Sequence, residues 1–161
     1  MTTVIIGGGA AGVAAAIAAA QRGRRVLVLE RNRRPLKKLG VTGNGRGNLL
    51  NAGEPVYFGG EAFARAVLTR KGYPELAAFF ASLGVPLREE GEGRVYPAAL
   101  LASAAVEALL LRASQLGVEF VTGARVTTVK REGSGFRLRA EQAQAEPQNP
   151  KKGKSAGRAE Q

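Results

Sequence analysis

A chain of 161 residues can hold one ordinary domain with a core, and is short for an enzyme that must seat both a dinucleotide and a substrate. The absence of Cys and His excludes disulfides, thiolate nucleophiles, His-metal sites and His general bases. Only carboxylates, Lys, Tyr, Ser or Thr remain as catalysts, no metal site and no particular catalytic residue is assigned, and hard chemistry would fall to a cofactor. The net charge of +11 suits phosphate groups and solvated surface, with a polyanion-binding module as the lesser reading.

In chain order, the β-branched run Thr3 to Ile6 reads as a buried parallel strand that stops at three glycines. Ala10 to Arg22 follows as a helix, with Val13, Ala16, Ile17 and Ala20 at helical spacing and Gly23 as its stop. Arg25 to Glu30 is a second buried strand, which completes a β-α-β unit. From Arg31 to Gly60 glycine, asparagine and basic residues break the pattern, and a loop of that length implies a task. Helices are expected over Glu61 to Arg70 and Pro74 to Leu83, then two short strands around Glu92-Gly93. Leu101 to Leu116 is the next helix, followed by a third parallel strand over Val118 to Thr122. Arg125 to Arg131 and Phe136 to Ala140 form a hairpin. The domain is therefore placed at residues 1–141, and 142–161 reads as a disordered basic tail. Its lysines read as a solvated linker, so nucleic acid is not the expected partner. The uncharged run Val4 to Ala20 is no membrane span or signal peptide. No basic residue precedes it and glycines interrupt it, so a cytoplasmic chain is expected.

Gly7-Gly8-Gly9-Ala10-Ala11-Gly12 fits G-x-G-x-x-G in the context that gives this pattern meaning. It follows a strand, opens a helix, and an acid, Glu30, ends the next strand. Gly7 permits the tight turn, Gly9 lets backbone approach a pyrophosphate, and Gly12 lets helix and strand close. The pyrophosphate would meet the positive end of the helix. Glu30 would accept hydrogen bonds from the adenosine ribose and repel a 2′-phosphate, which disfavours NADP there without separating NAD from FAD. The bland alternative is a glycine-rich turn in a structural α/β protein. The stretch Lys37 to Asn51 places glycines at 40, 43, 45 and 47 among Lys38, Thr42, Asn44, Arg46 and Asn48. It suits phosphate and close backbone approach, or else is a flexible basic loop. The acids Glu89, Glu90 and Glu92 read as exposed turn residues, and Tyr57, Tyr73 and Tyr96 as core or rim packing.

This second stretch resembles the signature of the BaiN-like, aminoacetone-oxidase-like flavoproteins. The glycine opening, Glu30-Arg31-Asn32, Gly93-Arg94-Val95-Tyr96-Pro97 and Leu116 to Phe120 fit the same family across residues 1 to about 140. The resemblance implies a three-layer, Rossmann-like α/β fold of the glutathione-reductase type, with a parallel sheet and a β-hairpin crossover. It implies FAD as cofactor, NAD(P)H or oxygen as redox partner, and an oxidoreductase acting on a small molecule. Gly7, Gly9, Ala10, Ala11 and Gly12 would line the pyrophosphate, and Glu30 would hold the ribose with Arg31 beside it. Lys38, Thr42, Gly43, Gly45, Arg46 and Asn48 would lie near the ribityl–pyrophosphate or flavin side, and Val126 would offer backbone bonds to adenine. Five departures stand out. Leu36 replaces the usual Gly, Gly47 the usual Cys, Leu50 a Thr or Ser, and Ala99 and Leu101 the usual Ser and Lys. The family's substrate domain and closing C-terminal half are not visible, so the chain is expected to be an N-terminal portion. A non-catalytic remnant with weak nucleotide binding is the alternative.

Overall fold

In the computed structural model, which describes residues 1–53, 56–68 and 72–142, β1 (Thr2–Ile6), α1 (Ala10–Ala20) and β2 (Arg25–Glu30) form the first unit. All five residues of β1 are β-branched, which favours extended backbone. Helix α1 is mostly alanine and ends two residues before Arg22, where the chain turns through Gly23 at φ +74°. Next come β3 (Leu50–Asn51), α2 (Glu61–Leu68), α3 (Tyr73–Ser82), β4 (Leu87–Glu90), β5 (Arg94–Pro97) and α4 (Ala102–Gln115). β6 (Glu119–Thr122), β7 (Ala124–Glu132) and β8 (Gly135–Gln142) complete the described chain.

The parallel sheet has the order β1-β2-β6. Neighbours in register present the same face, so Ile5, Val28 and Phe120 share one side. That side closes against α1 and α4, where Val13, Ala16, Ile17, Val26, Val28, Leu109 and Ala113 form the core. Burying each large apolar side chain there contributes about 1.5–3 kcal/mol. The opposite face carries Ile6, Leu29 and Val121, of which Ile6 and Val121 are exposed.

The stretch after Glu30 is more structured than its composition suggests. Leu39–Gly45 forms tight 3-10 turns with a kink at Thr42–Asn44, and β3 joins a second, antiparallel sheet of order β3-β5-β4. A two-residue strand has no periodicity to betray it, and only its partner β5 makes it one. The hairpin β7–β8 is antiparallel with a bulge between Val126 and Thr128. Gln142 is the last residue of β8, so the strand reaches one residue into the expected tail. Residues 143–161, the rest of that expectation, lie outside the described residues. Among the described residues no helix is long and apolar enough to cross a membrane.

Candidate functional site

An open cleft of about 1250 Å³ lies at the carboxyl ends of β1 and β2, the place where ligands bind in open parallel α/β sheets. This exceeds the roughly 300–1,000 Å³ of a drug-sized ligand's pocket and suits a longer molecule. Its floor is the glycine turn. Gly7 sits at φ +102°, and its N–H donates to the Leu29 carbonyl at 2.8 Å. Gly12 stands so close to the turn that an added Cβ would lie 1.9 Å from the Gly7 carbonyl oxygen. A Cβ on Gly9 would meet nothing within 4 Å, because that position opens into the cleft. Gly9 is the N-cap of α1, and no side chain caps the helix. The N–H groups of Ala10, Ala11 and Gly12 thus have no acceptor within the helix and lie along the cleft with the positive end of its dipole.

Glu30 ends β2 and is buried, at 5% exposure. Its Oε2 accepts the Gly8 N–H at 2.5 Å. Its Oε1 accepts both the backbone N–H of Asn32 at 2.7 Å and the Asn32 side-chain Nδ2 at 2.6 Å. Burial alone would push the carboxyl up. The backbone N–H groups of Asn32 and Gly8, the Asn32 side-chain amide and the Arg31 charge outweigh it and hold the carboxyl below its ordinary range. Two carboxylate oxygens offer about four acceptor positions. Three are taken, and the remaining one belongs to Oε2. Arg31, Arg34, Lys37, Lys38 and Arg125 also line the cleft, where Glu30 is the only carboxylate among the described residues. The site therefore favours an anion.

The second wall runs from Leu36 to Asn48. Leu36 is buried, sits at φ +58°, and its N–H donates to the Gly8 carbonyl at 2.7 Å, tying this wall to the glycine turn. A left-handed conformation costs a leucine about 1–2 kcal/mol, which explains why the family resemblance has glycine at this place. Gly47, at φ +81°, is pressed against α4, and a Cβ there would come 3.0 Å from the Ala102 Cα and 3.2 Å from the Pro97 Cδ. The glycine that replaces the family's Cys thus goes with close contact to the start of α4.

Of the residues singled out from the sequence, Gly7, Gly9, Ala10, Ala11, Gly12, Glu30, Arg31, Lys38, Thr42, Asn48 and Val126 line this one cleft. Gly43, Gly45 and Arg46 do not. Gly43 packs against Asn48 and Tyr96, and Gly45 lies off the cleft. Arg46 turns the other way, paired with Glu90 and stacked over the Tyr96 ring at 4.7 Å from its centroid. Its charge is taken by a partner 44 residues distant in sequence, which spacing could not show. Of the other acids weighed, Glu90 also pairs with Arg88 at 2.9 Å, and Glu92 pairs with Arg94 at 3.0 Å. Gly8, Arg34 and Lys37, which stand in the glycine motif and the basic stretch without an assigned place, also line the cleft, as do Asn32, Arg125 and the α3 residues Leu76, Phe79 and Phe80. An amide two residues after a strand-ending acid was the one available signal. The α3 contribution had none.

Residues 1–149 match the HI0933-like protein Rossmann domain, and the chain belongs to that family. It is 42% identical over 119 residues to a 3-dehydro-bile acid delta(4,6)-reductase of Clostridium scindens, a match that covers 72% of this chain and 29% of that protein. Among solved structures, it resembles a 3-ketosteroid-delta4-(5alpha)-dehydrogenase of Rhodococcus jostii with a TM-score of 0.59 and 20% identity, over 87% of this chain and 43% of that one. It resembles the THI4 protein of Thermovibrio ammonificans with a TM-score of 0.56 and 18% identity, over 85% and 45%. The chain thus spans less than a third of the reductase and under half of either structure. The fold is a Rossmann-like domain with a parallel sheet, and the family is one of FAD-binding flavoproteins.

Proposed function

We propose that this chain is the domain of an FAD-dependent oxidoreductase that holds the ADP half of the cofactor. The observation that carries this reading is the open space at Gly9, beside unpaired helix N–H groups and a buried acid with one acceptor position left. The residues fit the group. Gly7, Gly9, Ala10, Ala11 and Gly12 would receive the pyrophosphate, Glu30 the ribose, and the backbone at Val126 the adenine. Arg31, Lys38, Thr42 and Asn48 would neutralise or hydrogen-bond what extends beyond. Gly43, Gly45 and Arg46 would support that wall from behind. When bound, the isoalloxazine supplies the redox chemistry. The chain's own residues bind it, orient it and set the local charge. The 42% identity to a bile acid reductase supports reduction of a conjugated ketone by the whole protein. NAD(P)H as electron donor is part of the proposal and rests on the family resemblance alone. That the match covers 29% of the reductase supports a substrate-covering C-terminal half as this domain's partner.

The test is an absorbance spectrum of the purified chain after incubation with FAD and desalting, beside Gly9→Asp. Retained bands near ~370 and ~450 nm are expected for the natural chain. Gly9→Asp should melt no lower, because Asp is a favoured N-cap and suits the helix dipole, yet come off the column colourless. Equal retention by both proteins, or an FAD-free natural chain that also fails to bind ADP, overturns the reading.

A further inference from the structure

Asn32 is half-buried and makes three hydrogen bonds at one point of the fold. Its backbone N–H and its Nδ2 both donate to Glu30 Oε1, at 2.7 and 2.6 Å. Its carbonyl accepts the N–H of Gly123 at 3.1 Å, and Gly123, at φ +70°, is the turn from β6 into β7. Through Glu30 it reaches the glycine turn, because Glu30 Oε2 holds the Gly8 N–H. One residue thus connects the acid, the glycine turn and the start of β7, whose Ala124, Arg125 and Val126 line the cleft.

A carboxylate on a flexible stem has many rotamers, and a buried one that must face a ligand has to be held. Oε1 is filled by Asn32 alone. The two donors come from one residue at fixed separation, so they fix the carboxylate plane as well as its position. That leaves the unfilled position on Oε2, the oxygen shared with Gly8. We propose that Asn32 is the positioning residue of the nucleotide site: it orients Glu30 so that Oε2 meets the ribose, and locks β7 in place beside it. This rests on the reading of the cleft as an ADP site. It requires no direct contact between Asn32 and the nucleotide. Arg31 is the charge that acts on Glu30, and Arg34, Lys37, Lys38 and Arg125 line the same cleft. Loss of the Asn32 amide leaves those charges in place.

The experiment follows the Glu30 carboxyl by carbon NMR across pH in the ligand-free 161-residue chain, and ADP binding by calorimetry. Both are done for the natural chain, Asn32→Ala and Asn32→Asp, and the calorimetry is repeated for each in a Glu30→Gln background. The expected result is a Glu30 midpoint that rises in Asn32→Ala and rises further in Asn32→Asp, where a second carboxylate replaces the donor. ADP affinity should fall about three- to tenfold in Asn32→Ala. In the Glu30→Gln background the same change should cost little more, because a residue that acts through Glu30 loses its target. An unmoved Glu30 midpoint in both variants overturns the proposal, as does an affinity loss of equal size in the two backgrounds. If the natural chain binds no ADP, the nucleotide reading fails, while the titration still decides whether Asn32 holds Glu30.

Discussion

Two glycine-rich walls line one cleft, and they are held by different means. The wall at Gly7–Gly12 sits inside the β1-α1-β2 unit. The Gly7 N–H donates to Leu29 of β2, the Gly9 carbonyl accepts from Val13 of α1, its left-handed position is a glycine, and a buried carboxylate braces it. The wall at Leu36–Asn48 belongs to no sheet and forces two non-glycine residues, Leu36 and Asn44, to φ +58° and +56°. It is fixed by burial of Leu36, by the Gly8 carbonyl, and by Arg46 reaching back to Glu90 and Tyr96. The difference teaches that the first glycine turn is held by the regular structure around it. A loop of the same composition has to be anchored residue by residue.

The largest effect should come from the first wall. Gly12→Ala drives a Cβ into the Gly7 carbonyl, a backbone atom that cannot turn aside. It should cost about 3 kcal/mol or more, read as a collapse of the thermal or urea transition. A variant that melts within a degree of the natural chain would show that the helix does not lie this close to the turn.

At Leu36 the two walls can be compared directly. Leu36→Ala loses a buried side chain, keeps the left-handed strain, and should cost about 3 kcal/mol. Leu36→Gly loses the same side chain, relieves the strain, and should be milder by about 1 kcal/mol. Chemical denaturation of both gives the order. If Gly is the worse substitution, as it is in a helix or strand interior, the left-handed assignment is wrong.

The brace on the first wall should show in pH. The Glu30 carboxyl ionises below its ordinary value of 4.5 in the folded chain. The stability it contributes is therefore fully present above that value and is lost as pH falls through the folded-state value. The natural chain should lose stability on acidification below 4.5 more steeply than Glu30→Gln, which has no such group. Parallel urea midpoints for the two proteins across that range would contradict the brace.

The smallest effect belongs to the clamp on the second wall. Arg46 and Glu90 are partly exposed, so solvent screens their pair, and its cation–π contact adds modestly. Arg46→Ala should cost about 1 kcal/mol. Hydrogen exchange should quicken at the amides of residues 43–48 while those of β1 and β2 are unchanged. Uniform exchange across both regions would mean that the walls are not held separately.

The sequence determined the β1-α1-β2 unit, α2, α3, the short strands β4 and β5, α4, β6 and the hairpin. Their signals are local: β-branched runs, apolar spacing of three and four, and glycine at the stops. It also determined the glycine turn and Glu30, because strand, turn, helix and acid follow one another within a single unit. Tertiary structure alone decided the rest. Leu50–Asn51 is a strand only because β5 offers it a partner, and Arg46 stays off the cleft because it pairs with Glu90 and stacks on Tyr96. The Asn32 carbonyl meets the Gly123 N–H only because the fold brings the end of β6, far along the chain, beside it. A contact's energy depends on which surfaces the fold brings together, and residue type along the chain carries that information only where the partners are close in sequence.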